Sequence, residues 1–190
     1  MLHNALKTKT HEAHMRLHVH SFTQPLQSAT LTRVEYERIL KGFYTYYSAL
    51  EHHYEGVKSD FGNIFDPVAA LEKDFQTLGI SPPKNNSFGK AVQTDLPADF
   101  DHYIGYLYVK QGSTLGGQIM SKNIERTIGL DRDKKVHFFN PYGKSTGPVW
   151  KSFLAYLERI EDSVCMDSAI HGANHAFSAM EQAFDQMENQ

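Results

Sequence analysis

Gly112-Ser113-Thr114-Leu115-Gly116-Gly117-Gln118 sets three glycines in the middle of what otherwise reads as one long helix. Each glycine costs roughly 1 kcal/mol against alanine in a helix interior, so the chain keeps them for a reason. The available reasons are a bend, contact with another backbone, or the face of a flat ligand too close for a β-carbon. Working outward, nearly every segment longer than ten residues carries helical rather than alternating period.

The spacing predicts a first helix over Leu2 to Val19, then a turn region from Ser21 to Leu31 containing Pro25. Thr32 with Glu35 forms a capping box for a second helix running to about Val57, with Leu40, Phe43, Tyr47 and Leu50 on its apolar side. Asp66 before Pro67 starts a third helix, and Gly79 followed by Pro82 and Pro83 stops it. Pro83 to Asp95 is polar and reads as a loop, after which Pro97 opens the glycine-bearing segment through Ile128. Gly143 to Pro148 is the last strong break. It precedes a helix to about Asp162 and a final one over Ser163 to Met187, bent near Gly172. The β-branched runs a sheet needs are missing, so the class is all-α, and no boundary divides residues 1–190 into more than one domain.

With 190 residues the chain can bury a sizeable core, and 41% hydrophobic with 22% charged residues is ordinary globular composition. A net charge of -3 gives no electrostatic footprint for nucleic acid. No stretch approaches the ~20 apolar residues of a membrane span. The first residues hold no apolar run of signal-peptide length, so a cytoplasmic protein is expected. Cys165, the only cysteine, is expected to be a buried, unreactive thiol.

His11, His14 and His18 are spaced three and four apart and share a helix face. A histidine on one side and a glycine-kinked helix on the other would form a slot for a planar cofactor with an axial imidazole, a description that haem fits. The same residues admit a rival: His14 with His18, or His171 with His175, could share zinc or another divalent metal. Neither pair has the HExxH pattern or an obvious carboxylate ligand nearby, and the paired Glu-x-x-His motifs of a di-iron site are absent.

Three motifs, in order, carry a resemblance. Leu6-Lys7-x-x-Thr10-x-x-x-His14, the glycine segment, and Phe138-Phe139-Asn140-Pro141-Tyr142-Gly143 together resemble the biliverdin-producing haem oxygenases in their bacterial form. Tyr44-x-x-Tyr47-x-Ala49-Leu50-Glu51 is a further match. The resemblance implies that His14 is the axial metal ligand and that the backbone at Gly112, Gly116 and Gly117 passes over the haem, leaving room for dioxygen. It implies haem as cofactor and substrate at once, consumed with O2 to give biliverdin, ferrous iron and carbon monoxide.

The same likeness places Lys7 and Lys151 on the haem propionates and Tyr47 in a distal polar network. Phe177 and Tyr108 become candidate lining residues. Animal enzymes of the family put an aspartate after the first glycine, where this chain has Ser113; a hydroxyl donates and accepts hydrogen bonds but does not replace a carboxylate. Electrons are expected from an external reductase or ferredoxin, docking near Lys7, Lys122 and Lys151. Two alternatives stay open: a haem carrier or sensor of the same fold without turnover, and a haem-free member of the wider fold group such as a thiamin-degrading helical enzyme.

Overall fold

The computed structural model of the protein describes residues 1–83 and 96–189, and every regular element in them is helical. The α-helices are α1 (Leu2–Lys9), α2 (His11–His18), α3 (Arg33–His53), α4 (Pro67–Leu78), α5 (Phe100–Ile128), α6 (Thr146–Ile160) and α7 (Met166–Glu188). Short 3-10 turns occupy Ser21–Gln27, Gly143–Ser145 and Glu161–Ser163. From residue 84 onward, the loop expected over Pro83 to Asp95 lies outside the described residues.

Local hydrogen bonds set most helix ends where the sequence marks them. The Thr32 hydroxyl oxygen accepts the Glu35 N–H, and Glu35 in return accepts the Thr32 N–H at 2.8 Å, so the capping box starts α3. Asp66 accepts the Ala69 N–H at 2.9 Å ahead of Pro67, and Gly79 closes α4 in the left-handed region at φ 69°. Asp99 caps α5, and Gly129 at φ 70° ends it.

The single first helix expected from Leu2 to Val19 is corrected to two. Thr10 separates α1 from α2, its hydroxyl donating to the Leu6 carbonyl at 2.8 Å, a side-chain bond to the preceding turn that bends a helix. The backbone bonds Thr10 N–H to Leu6 O and His14 N–H to Thr10 O span the break, so the pair stays one bent arm. The second helix stops at His53 rather than Val57, where Tyr54 is drawn into the core.

α5 and α7 are the central pair. A β-carbon on Gly105 would stand 1.9 Å from the Ala169 carbonyl oxygen, and one on Gly172 would stand 2.2 Å from the His102 carbonyl oxygen. The two helices therefore cross at backbone contact. Gly172, read in the sequence as a bend, serves this crossing.

Around the pair lies an aromatic core. Phe43 packs with Phe138 (4.9 Å between centroids), Phe139 (5.6 Å) and Phe184 (5.0 Å). The Phe138 segment is held by Asp74 of α4, fully buried, whose carboxylate accepts the backbone N–H groups of His137 (2.7 Å) and Phe138 (2.9 Å). Burial pushes the Asp74 pKa up to about 7 against the pull of those two bonds.

Cys165 is corrected too. It caps the start of α7 and is exposed, because the corner between α6 and α7 lies outside the core. Hydrogen bonds with Ser168 hold its thiol below the usual range. No helix among the described residues is long and apolar enough to cross a membrane.

Candidate functional site

The N-terminal arm is pinned to α5 at both ends. At its start the His3 ring lies 5.9 Å from Tyr108 and 6.2 Å from Trp150. Beyond its end, the Asn123 side-chain amide donates to the carbonyls of Leu26 and Ser28 at 2.8 and 2.7 Å. Of the stretch between, His14 lies against Phe177 of α7.

On the α5 side, Tyr108, Gly112, Leu115, Gly116 and Ile119 recur at three- and four-residue spacing and share one face. A β-carbon on Gly116 would meet nothing within 4 Å, and one on Gly112 would meet only the Trp150 ring at 3.7 Å. Leu115 and Ile119 are 37% and 71% exposed, and on the arm Met15 and Val19 are 41% and 63% exposed. Large apolar side chains left in water on these two elements mark a candidate binding surface. The helix runs unbroken through the glycines.

Gly117 does different work. Its missing β-carbon leaves room for the Phe139 carbonyl oxygen, which would be 2.7 Å from one. Phe138-Phe139-Asn140-Pro141-Tyr142-Gly143 is thus a buttress behind the glycine segment. Gln118 donates to the Gly143 carbonyl at 3.0 Å, and the Tyr142 hydroxyl donates to the Asn63 carbonyl at 2.7 Å.

His14, on α2, is exposed, with its ring edge-on to Phe177 of α7 at 6.0 Å and 78°. Among the described residues its imidazole makes no hydrogen bond. Partial burial, then the charges of His18 and His11, lower its pKa, which keeps a nitrogen lone pair available at neutral pH. An unengaged, neutral imidazole beside exposed apolar side chains is free to bind a metal that comes from outside the chain. His11 and His18 are exposed and join no such contact. Among the described residues they gather no carboxylate in ligand range, and the close group of donors that does occur is His20, Asp185 and Glu188.

A polar thread runs behind the glycine face. The Ser113 hydroxyl donates to the Lys110 carbonyl at 2.8 Å. That carbonyl can only accept, so the contact between the buried Tyr47 hydroxyl and Ser113 Oγ, at 3.3 Å, has Tyr47 as donor. Burial pushes the Tyr47 pKa upward, which holds the phenol protonated. Ser113 retains one acceptor position.

Lys110 directly follows the run 103–109 in the sequence, with no local mark of its burial. It is buried, its Nζ 2.7 Å from Glu51 Oε1, the atom to which the Tyr106 hydroxyl also donates at 2.5 Å. Gln111, likewise unremarked, donates to the Asn63 carbonyl at 2.8 Å and accepts the Phe65 N–H at 3.2 Å. Three residues before Ser113 and one before Gly112, these two fix the roll of the helix.

Lys7 and Lys151 are exposed, and among the described residues neither forms an ion pair. Lys7 follows His3 by one turn of α1, and Lys151 follows Trp150 on α6, so both flank the His3–Trp150 contact.

Residues 1–186 match the family model described as "Heme oxygenase". None of the curated proteins matches the chain in sequence. Among solved structures it is similar to the haem oxygenase of Leptospira interrogans, with TM-score 0.75 and 20% identity over 97% of this chain and 98% of that one. It is also similar to the NO- and CO-bound haem oxygenase of Neisseria meningitidis, with TM-score 0.72 and 20% identity over 99% and 92%. A third likeness is to haem oxygenase-1 of the cyanobacterium Synechocystis in complex with haem, with TM-score 0.69 and 18% identity over 99% and 92%. Identities of this size speak for the fold.

Proposed function

The chain belongs to the haem oxygenase family, and from that premise we propose which of its residues carry the reaction. It is a haem-degrading oxidoreductase, cleaving haem with dioxygen and reducing equivalents to biliverdin, ferrous iron and carbon monoxide. Haem is the substrate as well as the bound group, and when bound it would supply the iron that activates dioxygen and the ring carbon that is oxidised.

His14 would hold the haem iron through its imidazole. A neutral imidazole, rather than a thiolate, would avoid pushing electron density toward O–O cleavage. Phe177 stands edge-on to the ring and limits its rotation. Gly112 and Gly116 are the side-chain-free wall, open enough for a small diatomic over the macrocycle. Gly117 serves that wall from behind by seating α5 against Phe139.

Tyr47 and Ser113 govern the proton. Tyr47 holds one on its phenol and donates a hydrogen bond to Ser113 Oγ; when Ser113 turns from the Lys110 carbonyl toward the haem side, its hydroxyl offers a hydrogen bond there while Tyr47 keeps its oxygen in place. Lys7 and Lys151, beside the His3–Trp150 contact, neutralise the two propionates and fix the rotation of the macrocycle. Electrons come from an external reductase or ferredoxin that docks on the face carrying Lys7, Lys122 and Lys151. The reading extends to residues 1–190 acting as one domain and to a cytoplasmic location, where such reduced carriers are supplied.

One observation carries the proposal: an imidazole without a protein hydrogen bond at His14, in a chain whose glycine-bearing helix has an empty β-carbon position at Gly116. Hemin titrated into the wild-type protein should give a Soret band that decays to a biliverdin spectrum when reductant is added in air. His14→Ala should bind hemin about tenfold or more weakly, because an axial bond worth at least about 1.4 kcal/mol is lost, and should not turn over. Unchanged spectrum and turnover in that variant would overturn the ligand assignment. A wild-type band that persists under reductant would overturn the proton route through Ser113.

A further inference from the structure

Four histidines gather where α3 ends, α5 begins and α7 passes: His53, His102, His171 and His175. Gly172 is the cause of the gathering. With its missing β-carbon against the His102 carbonyl, α5 and α7 meet at backbone distance, which sets His102 beside the pair His171 and His175 on adjacent turns of α7. The His102 and His171 rings are 5.8 Å apart between centroids at 60°. Two imidazoles on one tetrahedral metal, with metal–nitrogen bonds of about 2.0 Å, stand at roughly 5 Å.

The protonation pattern suits ligation. His102 Nδ1 lies 2.8 Å from Asp99 Oδ1. A carboxylate only accepts, so Nδ1 carries the proton and Nε2 presents its lone pair, the arrangement of a metal-binding histidine oriented by a carboxylate behind it. His175 Nδ1 is buried and, among the described residues, has no hydrogen-bond partner, an exposure of a polar atom to dry surroundings that a ligand would relieve. Burial, then the charges of His53, His171 and His102, push the His175 pKa down to about 4, so it is neutral at physiological pH. His102 is buried, whereas His171 is exposed and gives the site an opening to solvent.

We propose that His102, His171 and His175 bind a divalent metal ion of the Zn2+ class, with His53 as the fourth imidazole at its edge, apart from the haem site. Rotation of the exposed His171 ring toward His102 Nε2 closes the site. Neutral imidazole sets such as this favour borderline ions over hard, oxygen-seeking ones.

The group His20, Asp185 and Glu188 has its donor atoms closer together but the wrong proton. The Phe22 N–H donates to His20 Nδ1 at 3.2 Å, which leaves the proton of the neutral ring on Nε2, the atom that faces Asp185 at 3.3 Å. A metal on Nε2 would strip the ring of its only proton. That group is a surface hydrogen bond.

The test is a calorimetric titration of untagged, haem-free full-length protein with ZnCl2 in a non-chelating buffer. One equivalent should bind and raise the melting temperature. His171→Ala and His175→Ala should each weaken binding about tenfold or more and abolish the thermal shift, while His20→Ala leaves both as in the wild type. His171 is exposed, so its removal spares the fold and keeps the result readable if a buried variant misfolds. Preloading with hemin should not change the zinc stoichiometry. The proposal is overturned by absent stoichiometric binding, by binding that survives His171→Ala and His175→Ala, by loss of binding in His20→Ala, or by hemin displacing the zinc.

Discussion

Two glycines adjacent in the chain, Gly116 and Gly117, answer opposite physical demands. A methyl on Gly117 would meet the Phe139 carbonyl oxygen at 2.7 Å, and backbone cannot swing aside. Gly117→Ala should therefore cost about 1–3 kcal/mol and lower the melting temperature by several degrees. A β-carbon on Gly116 meets nothing within 4 Å, so for Gly116→Leu a thermal melt should show stability held or raised, by up to roughly 1 kcal/mol from helix propensity. Its turnover should collapse in a single-turnover assay, because the side chain fills the space above the macrocycle. Tyr47→Phe removes the donor to Ser113 and keeps the ring packing; hemin affinity should hold while turnover falls about a hundredfold. Ser113→Ala should match it, and the double variant should be no worse than either alone, which a double-mutant cycle measures. Spacing alone marks the three glycines as equivalent. Their division of labour is set by Trp150 and Phe139, which lie 38 and 22 positions or more along the chain.

Helix ends proved legible because caps are bonds between residues three or four apart. Thr32 with Glu35, and Asp66 with Pro67 and Gly79, state their own geometry. The break at Thr10 did not announce itself, since a threonine hydroxyl inside a helical pattern turns to solvent or to the preceding carbonyl with little to distinguish the two in sequence. The crossing of α5 and α7 was equally silent. Gly105 sits within an aromatic stretch and Gly172 beside a histidine, and each is explained only by the backbone of the other helix. Gly105→Ala should be among the most damaging small substitutions in the chain, because its β-carbon would overlap the Ala169 carbonyl oxygen at 1.9 Å. Chemical denaturation should show a loss of about 3 kcal/mol or more, or no folded protein at all. Near-wild-type stability would mean the two helices can part without cost.

For the molecule as a whole, Asp74 ties α4 to the Phe138 buttress and through it to the glycine segment, so its ionisation is felt by the entire fold. Its pKa rises from an ordinary 3.8 to about 7 on folding. The folded protein then holds the proton more tightly than the unfolded chain, and stability is fully present below pH 3.8 and lost as pH climbs toward 7. Urea midpoints of the wild type should accordingly fall over that window relative to Asp74→Asn; parallel curves would show that the two backbone N–H bonds hold the carboxylate ionised throughout. The sequence by itself determined the helical class, most helix ends, the pairing of a histidine with a glycine-bearing helix and the family likeness, because periodicity, caps and motif spacing are properties of short stretches of chain. Tertiary structure decided that Gly116 opens on free space while Gly117 is filled, that Lys110 is buried against Glu51, that Tyr47 is the donor to Ser113 and that four histidines converge. Each of these depends on which distant backbone comes within a few ångströms, and packing, not local pattern, sets that distance.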